Sequence, residues 1–211
     1  SGGPVFNAAP TPDSTSFSSN FAVFAQLEKK FFGRLSFTVG GRWEYFQINQ
    51  EQANKPIFRT GANFRVTDGT FLRASWGQGF RFPTIGERYI NTFSGGYGFF
   101  SNDSLLPESS WTGEVGVKQL FKAGKWLLGY IDIAGYWQEY NNSCEFAAGQ
   151  WLEGIGFKFF NTGKSRIRGI DATIFMQAKI RKNLSIDLTA GYTYSLPQTL
   201  QPNYKYYNDT I

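Results

Sequence analysis

The sequence predicts an all-β chain: an antiparallel up-and-down transmembrane β-barrel, present here as a segment of about eight strands. Three observations carry that expectation. Strand and turn formers dominate the 211 residues, with 18% aromatics, 24 Gly and no His. Long runs alternate apolar and polar residues with period two. The connections between those runs alternate short and long.

The first strand is expected over 17–31, followed by a tight turn at Phe32-Gly33-Arg34. In the second, 35–47, Leu35, Phe37, Val39, Trp43 and Tyr45 oppose Ser36, Thr38, Arg42 and Glu44. A longer loop, Ile48 to Lys55, leads to the third strand, 56–67, and Asp68-Gly69 is a two-residue hairpin turn into the fourth, 70–78. The loop from Gly79 to Ser109 precedes the fifth strand, 110–121, which ends at the tight turn Lys122-Ala123-Gly124. In the sixth, 126–138, Leu127, Ile131, Ile133 and Trp137 oppose Tyr130, Asp132, Tyr136 and Gln138. Asn141 to Ile155 is a long loop. The seventh strand begins near Gly156 with an irregular first half, then alternates over 168–180, with Ile170, Ala172, Ile174 and Met176 against Asp171, Thr173 and Gln177. Arg181-Lys182-Asn183 is tight. The eighth, "LSIDLTAGYTYSL" at 184–196, keeps period two over its whole length, and Pro197 to Ile211 is long.

In a meander, alternate connections lie at opposite ends of the sheet. Short turns near Gly33, Asp68-Gly69, Gly124 and Lys182 therefore share one end, and the long loops share the other. Outer-membrane barrels have this pattern, with short periplasmic turns and long extracellular loops. Most of the runs reach the ~9–11 residues that a tilted strand needs to cross the hydrocarbon. A soluble β-sandwich also has alternating strands. It does not favour long aromatic-rich strands or a short–long order.

The stretch "NDSLLPESSWTGEVG", Asn102 to Gly116, shows what lies on the two sides. Trp111, Val115 and Val117 are expected to face lipid, and Thr112, Glu114 and Lys118 a wet interior. Arg42, Glu44, Arg59, Asn63, Arg65, Arg73, Asp132, Asp171 and Asp187 join that inner set. Charges of both signs at this density call for a salt-bridged wall, because unpaired charges are not left in a dry core. Trp43, Trp76, Trp111, Trp126 and Trp137 are candidates for the interfacial girdles.

The remaining composition narrows function by exclusion. Without His there is no histidine-based triad, metal cluster or imidazole acid/base. With one Cys, Cys144, there is no internal disulfide and no cysteine-rich metal site. Catalysis is not expected, and neither is a cofactor. The net charge is +5, from 21 Lys and Arg against 16 Asp and Glu. Nine of those cations sit beside three tight turns, so they form no single basic face and no nucleic-acid partner is expected. Asn102-Asp-Ser, Asn141-Asn-Ser and Asn208-Asp-Thr match a glycosylation sequon by chance in Asn-rich loops. Cys144 is read as a free thiol. The opening Ser1-Gly2-Gly3-Pro4 reads as an arbitrary start.

Three elements, in order, resemble the barrel of a TonB-dependent outer-membrane receptor, with a flavour of the Bacteroidetes type. The first is Gly79, Phe80, Arg81, Pro83, Thr84 and Glu87, within "TFLRASWGQGFRFPTIGERY". The second is Asn102, Leu105, Pro107 and Glu108, followed by Glu114 and Gly116. The third is Asn161 with Gly169-Ile170-Asp171. The match covers roughly residues 70–175. The family's periplasmic TonB box and plug domain are not visible, and a terminal strand ending in an aromatic is replaced by Asn208-Asp209-Thr210-Ile211. Barrels of plugged transporters have 22 strands. The chain is therefore expected to be an internal slice from the C-terminal half of such a barrel.

The resemblance implies active transport of an iron-siderophore, haem, cobalamin or glycan, energised by the TonB complex through a plug. It implies outer-membrane lipid as the surroundings. Arg81, Arg88, Tyr89, Tyr97 and Phe99, with Phe93 and Phe100, are the candidate substrate contacts; the competing reading is that they pack the loop onto itself. Arg81, Pro83, Glu87, Pro107, Glu108, Glu114, Gly169 and Asp171 are expected to be architectural, since Pro fixes a corner's φ and removes a donor. The isolated slice is expected to self-associate through unpaired edges. The alternatives are a passive outer-membrane pore or adhesin barrel, and a soluble carbohydrate-binding β-domain.

Overall fold

The computed structural model describes residues 15–181 and 183–200. Eight strands form one antiparallel sheet, and four shorter ones form a second sheet in the loops. In chain order they are β1 (Ser18–Phe31), β2 (Leu35–Ile48), β3 (Glu51–Arg65), β4 (Thr70–Arg81), a one-turn helix α1 (Ile85–Tyr89), β5 (Thr92–Ser94), β6 (Tyr97–Phe100), β7 (Glu108–Ala123), β8 (Leu127–Asn141), β9 (Cys144–Trp151), β10 (Gly154–Asn161), β11 (Ser165–Arg181) and β12 (Leu184–Thr199). The large sheet runs β1-β2-β3-β4-β7-β8-β11-β12, so each strand pairs with its sequence neighbour once the small sheet is set aside. It is a segment of barrel wall, open between β1 and β12. Among the described residues no helix is long and apolar enough to cross a membrane; a barrel crosses with strands.

The register fixes the two faces. Arg73 pairs with Asn63 and Gly116, Asp132 with Lys118 and Thr173, Asp171 with Ala134 and Thr193, and Asp187 with Gln177. Directly paired residues share a face, so the expected luminal residues fall together. On the other face, Leu127, Ile131, Ile133, Leu184, Ile186 and Leu188 alternate with them, and Ile131, Ile133, Ile186 and Leu188 stay exposed.

That outer face is graded from one end to the other. Leu72, Val117, Ile133, Ala172 and Tyr192 form one row. Next come Ala74, Val115, Gly135, Ile170 and Tyr194, then Trp76, Gly113, Trp137, Arg168 and Leu196. The following row toward the loops is polar: Gln78, Trp111, Glu139, Arg166 and Gln198. Apolar residues give way to tryptophans and then to polar groups, as at the aqueous edge of a bilayer. Trp126 stands exposed at the opposite, turn end.

The tight turns share one end, as expected. Neighbouring turns are tied by backbone hydrogen bonds: Arg65 N–H donates to Arg34 C=O (2.8 Å), Leu120 N–H to Gly69 C=O (2.7 Å) and Lys179 N–H to Trp126 C=O (2.7 Å). Phe32 and Gly33 both take positive φ there. Pro107 lies at the other end of β7 from the Gly69 turn. Lys182 itself lies outside the described residues.

Five sequence expectations change. Gly79 to Ser109 is not a plain loop: it holds the end of β4, α1, β5, β6 and the start of β7. Ile48 to Lys55 is no loop: Ile48 pairs with Glu51, and Asn49-Gln50 makes a tight turn with Asn49 at φ 52°. The short–long order therefore has one exception. Asn141 to Ile155 contains β9 and the start of β10, which form a hairpin. The segment from Gly156 belongs to that hairpin, and the seventh wall strand starts at Ser165. Pro197 to Thr199 extends β12, while residues from 201 onward lie outside the described part.

Candidate functional site

The loop end carries the only concentrated apolar burial among the described residues. Ile48, Phe82, Phe100 and Leu105 are buried there, and Pro83 is fully enclosed. Phe46 stacks on Phe82 (5.8 Å) and meets Phe80 (5.9 Å). Pro83 needs no N–H partner, so the chain turns off β4 in a dry corner. Thr84 then caps α1, with its hydroxyl accepting from Glu87 N–H (3.2 Å) while the Glu87 carboxylate accepts from Thr84 N–H (2.7 Å).

Arg81 joins that cap to β7. It donates to both oxygens of Glu87 (2.7 and 2.8 Å) and to Glu108 (2.6 Å). The other oxygen of Glu108 accepts from Cys144 N–H. One guanidinium and two carboxylates thus pin β4, α1, β7 and the start of β9. Burial pushes the Glu87 carboxyl up, but the Thr84 N–H and the Arg81 guanidinium outweigh it and hold the group below the ordinary 4.5. Burial raises the Cys144 thiol, with Glu87 adding to it, so the thiolate is disfavoured.

Arg88 is 3% exposed and donates to both oxygens of Glu51 and to the Asp103 carbonyl. It locks α1 onto the β2–β3 hairpin, and Tyr89 packs under it at 5.5 Å. Asn102 donates to Phe159 C=O (2.9 Å), and Asn161 exchanges hydrogen bonds with Leu106 (2.8 and 3.0 Å). These contacts give the motif residues Asn102 and Asn161 a physical role: they seat the small sheet on the Pro107 corner.

The small sheet, ordered β5-β6-β10-β9, presents an aromatic face. Phe99 pairs with Phe157, and Phe159 with Phe146. Phe99 stacks on Phe157 (5.4 Å), Phe157 on Phe146 (5.2 Å), and Phe146 meets Phe159 (4.5 Å). Tyr97 extends the row to Phe157 (6.4 Å). Tyr97 and Phe146 are exposed at 55% and 46%. The opposite face packs inward, with Phe100 buried against Phe93 (5.7 Å). Gly156 and Gly98 meet where β10 and β6 run parallel; a Cβ on Gly156 would stand 2.1 Å from the Gly98 carbonyl.

The inner wall has its own ion network. Arg73 lies across Gly116 to reach Glu114 (2.9 Å) and Asp132 (2.5 Å). A Cβ at Gly116 would sit 2.8 Å from the Arg73 guanidinium carbon, which explains glycine two residues after Glu114. Arg59 donates to Gln26 (2.6 Å), and Arg42 pairs with Glu44. Gly169 lies beneath the Tyr136 phenol, which meets Ser195 Oγ at 3.0 Å.

Of the five expected substrate contacts, the structure brings Tyr97 and Phe99 into one exposed aromatic surface. Arg81 is held by the Glu87 and Glu108 carboxylates and the Arg88 Nη atoms by Glu51 and the Asp103 carbonyl, while the buried Arg88 Nε lacks an acceptor among the described residues; Tyr89 is half-buried beside Arg88. Phe146, Phe157 and Phe159 complete that surface and were not singled out from the sequence. The aromatic clustering of "GIGFKFFN" was the available signal. Among the described residues no group of His, Cys, Asp and Glu is arranged to hold a metal.

A family model described as "TonB dependent receptor-like, beta-barrel" matches residues 1–211. Solved structures with the same fold include the hemophore receptor HasR of Serratia marcescens, solved as a double mutant with its hemophore HasA and heme. It is 18% identical at a TM-score of 0.71, over 84% of this chain and 34% of that one. The FrpB iron transporter of Neisseria meningitidis is 15% identical at 0.61, over 88% and 26%. The copper transporter OprC is 17% identical at 0.63, over 85% and 30%. The chain spans about a third or less of the length of these proteins.

Proposed function

Because the chain belongs to the TonB-dependent receptor β-barrel family of the bacterial outer membrane, we propose that it forms part of the barrel of an active-transport receptor. In this reading the aromatic sheet at the loop end catches a small-molecule substrate by a flat, apolar face. The observation that carries the reading is the continuous row of Tyr97, Phe99, Phe157, Phe146 and Phe159, held rigid by strand pairing and partly open to solvent. Such rings offer large contact area at little entropic cost. Of the iron-siderophore, haem, cobalamin and glycan classes, an aryl-bearing iron chelate or a haem matches a five-ring surface best, and iron and heme appear in the names of two structural neighbours. Arg81 and Arg88 serve this reading as the clasps that position the surface. Uptake is driven through TonB acting on a plug that belongs to the rest of the receptor, and this chain is one slice of the wall around it.

The test is uptake by cells expressing the receptor. Replacing Phe99 and Phe146 together by Ala removes two ring contacts, each ~0.5–1.5 kcal/mol beyond area burial, and should raise the apparent KM for the substrate about tenfold or more. An unchanged KM contradicts the aromatic surface as the capture site. Import that continues after collapse of the inner-membrane proton gradient contradicts active transport and leaves the passive pore.

A further inference from the structure

We propose that the outward face of β7, β8 and β11 holds a phosphate-bearing membrane lipid, its headgroup on Arg166 and Arg168 and an acyl chain in the groove beneath them. Lipid-facing arginines are unfavourable in a barrel unless they sit near the interface. Both lie in the two rows near the loop end where the outer face changes from apolar to polar. In a barrel with short periplasmic turns this is the level of the outer-leaflet headgroups.

The two guanidiniums are gathered on one ring. Arg166 lies 4.6 Å and Arg168 5.0 Å from the centre of Trp137. Glu139 takes Arg166 by its Nε (2.7 Å) and Nη2 (2.5 Å). Among the described residues Arg168 hydrogen-bonds only the neutral Gln198, at 2.8 Å, and its buried Nε–H lacks an acceptor. The cluster therefore carries one positive charge in excess and an unsatisfied donor. A guanidinium in that state gains by turning its planar fork to a phosphate, which fits it bidentately.

Directly below lies an open apolar cavity of about 760 Å³. Its floor is low because Ala74, Gly113 and Gly135 project little or nothing, and Trp76, Trp137 and Tyr194 stand as its walls. The volume falls in the ~300–1,000 Å³ range of pockets that take small-molecule-sized ligands. Arg168 borders this cavity, so headgroup site and chain groove are continuous. A free anion has no use for the groove, and a neutral lipid none for the arginines; a lipid bearing phosphate uses both.

Native mass spectrometry of the detergent-purified receptor tests this, with phosphatidylglycerol and a diacylglycerol of the same chains as probes. Phosphatidylglycerol should be retained at least tenfold better than diacylglycerol. The R166Q/R168Q double variant should lose that preference, and Gly135→Leu, which fills the groove, should lower retention of both lipids. Glu139→Gln frees Arg166 and should raise phosphatidylglycerol retention; it keeps the proposal testable if the double variant fails to insert. Equal retention by parent and double variant, no gain with Glu139→Gln, or displacement of the lipid by millimolar inorganic phosphate would overturn the proposal.

Discussion

Ile131→Arg and Asp132→Asn alter adjacent residues of β8 and should behave as though they belonged to different solvents. From Trp126 to Trp137 the strand covers eleven steps, about 37 Å along its axis and about 28 Å of height at a ~40° tilt, close to the ~25 Å apolar band of such barrels. Ile131 lies near the middle of that span, exposed on the outer face. An arginine there costs ~2–4 kcal/mol, the depth-dependent cost at the midplane. Asp132 points the other way, to Arg73, which keeps Glu114 at 2.9 Å when Asp132 loses its charge. The loss should then be ~0–1 kcal/mol, as for partly solvated ion pairs. The gap of about 2 kcal/mol is a roughly thirtyfold difference in the folded-to-unfolded ratio, by the rule that 1.4 kcal/mol is tenfold. Guanidinium unfolding of the receptor barrel in lipid vesicles, followed by Trp fluorescence, measures both. Equal destabilisation, or a larger effect from Asp132→Asn, would refute the assignment of faces.

Gly156→Val should break the parallel pairing of β10 with β6, because its side chain meets the Gly98 backbone; hydrogen exchange should accelerate over residues 97–100 and 154–161 with the wall strands unchanged. Thr84→Ala removes the hydroxyl cap of α1 and should cost about 1 kcal/mol locally, read as faster exchange at Glu87 and Arg88. Glu87 is held below its ordinary value, so its contribution is present above pH 4.5 and is lost as pH falls through the lower folded value. The loop clasp should therefore open only in acid, and Glu87→Gln should flatten that pH profile in a protease-nicking assay. Gly116→Leu should displace Arg73 from its carboxylates and destabilise the wall more than Gly113→Leu on the lipid face, measured by denaturant midpoint.

The sequence was most legible where one side of a strand meets lipid and the other meets water. There the alternation is enforced at every residue, as in 184–196, and the residues the pattern assigns to each face lie on one face of the sheet. Above the bilayer edge both faces are wet and the constraint lapses. "QINQEQANK" therefore read as a loop, though Ile48 pairs with Glu51 across a two-residue turn. The same holds for β9 and β10, which form a local hairpin but dock on β6 and the Pro107 corner, both remote in sequence. Motif residues such as Arg81, Glu87 and Glu108 were visible as a pattern, and only the fold shows that one guanidinium clamps both carboxylates. Tyr97 and Phe99 stand close together in one loop of the sequence, whereas Phe146, Phe157 and Phe159 reach them only through the pairing of β10 with β6, more than forty residues away.

The central claim is that alternate residues of these strands face lipid and lumen. Spin labels placed singly at 128 to 136 of β8, in a Cys144→Ser background and in vesicles, test it most directly. Collision with oxygen should peak at the odd positions, 129 to 135, and collision with a water-soluble nickel chelate at the even positions between them, the two profiles running out of phase with period two. Profiles without that period, or with both reagents favouring the same positions, would contradict a membrane-barrel wall.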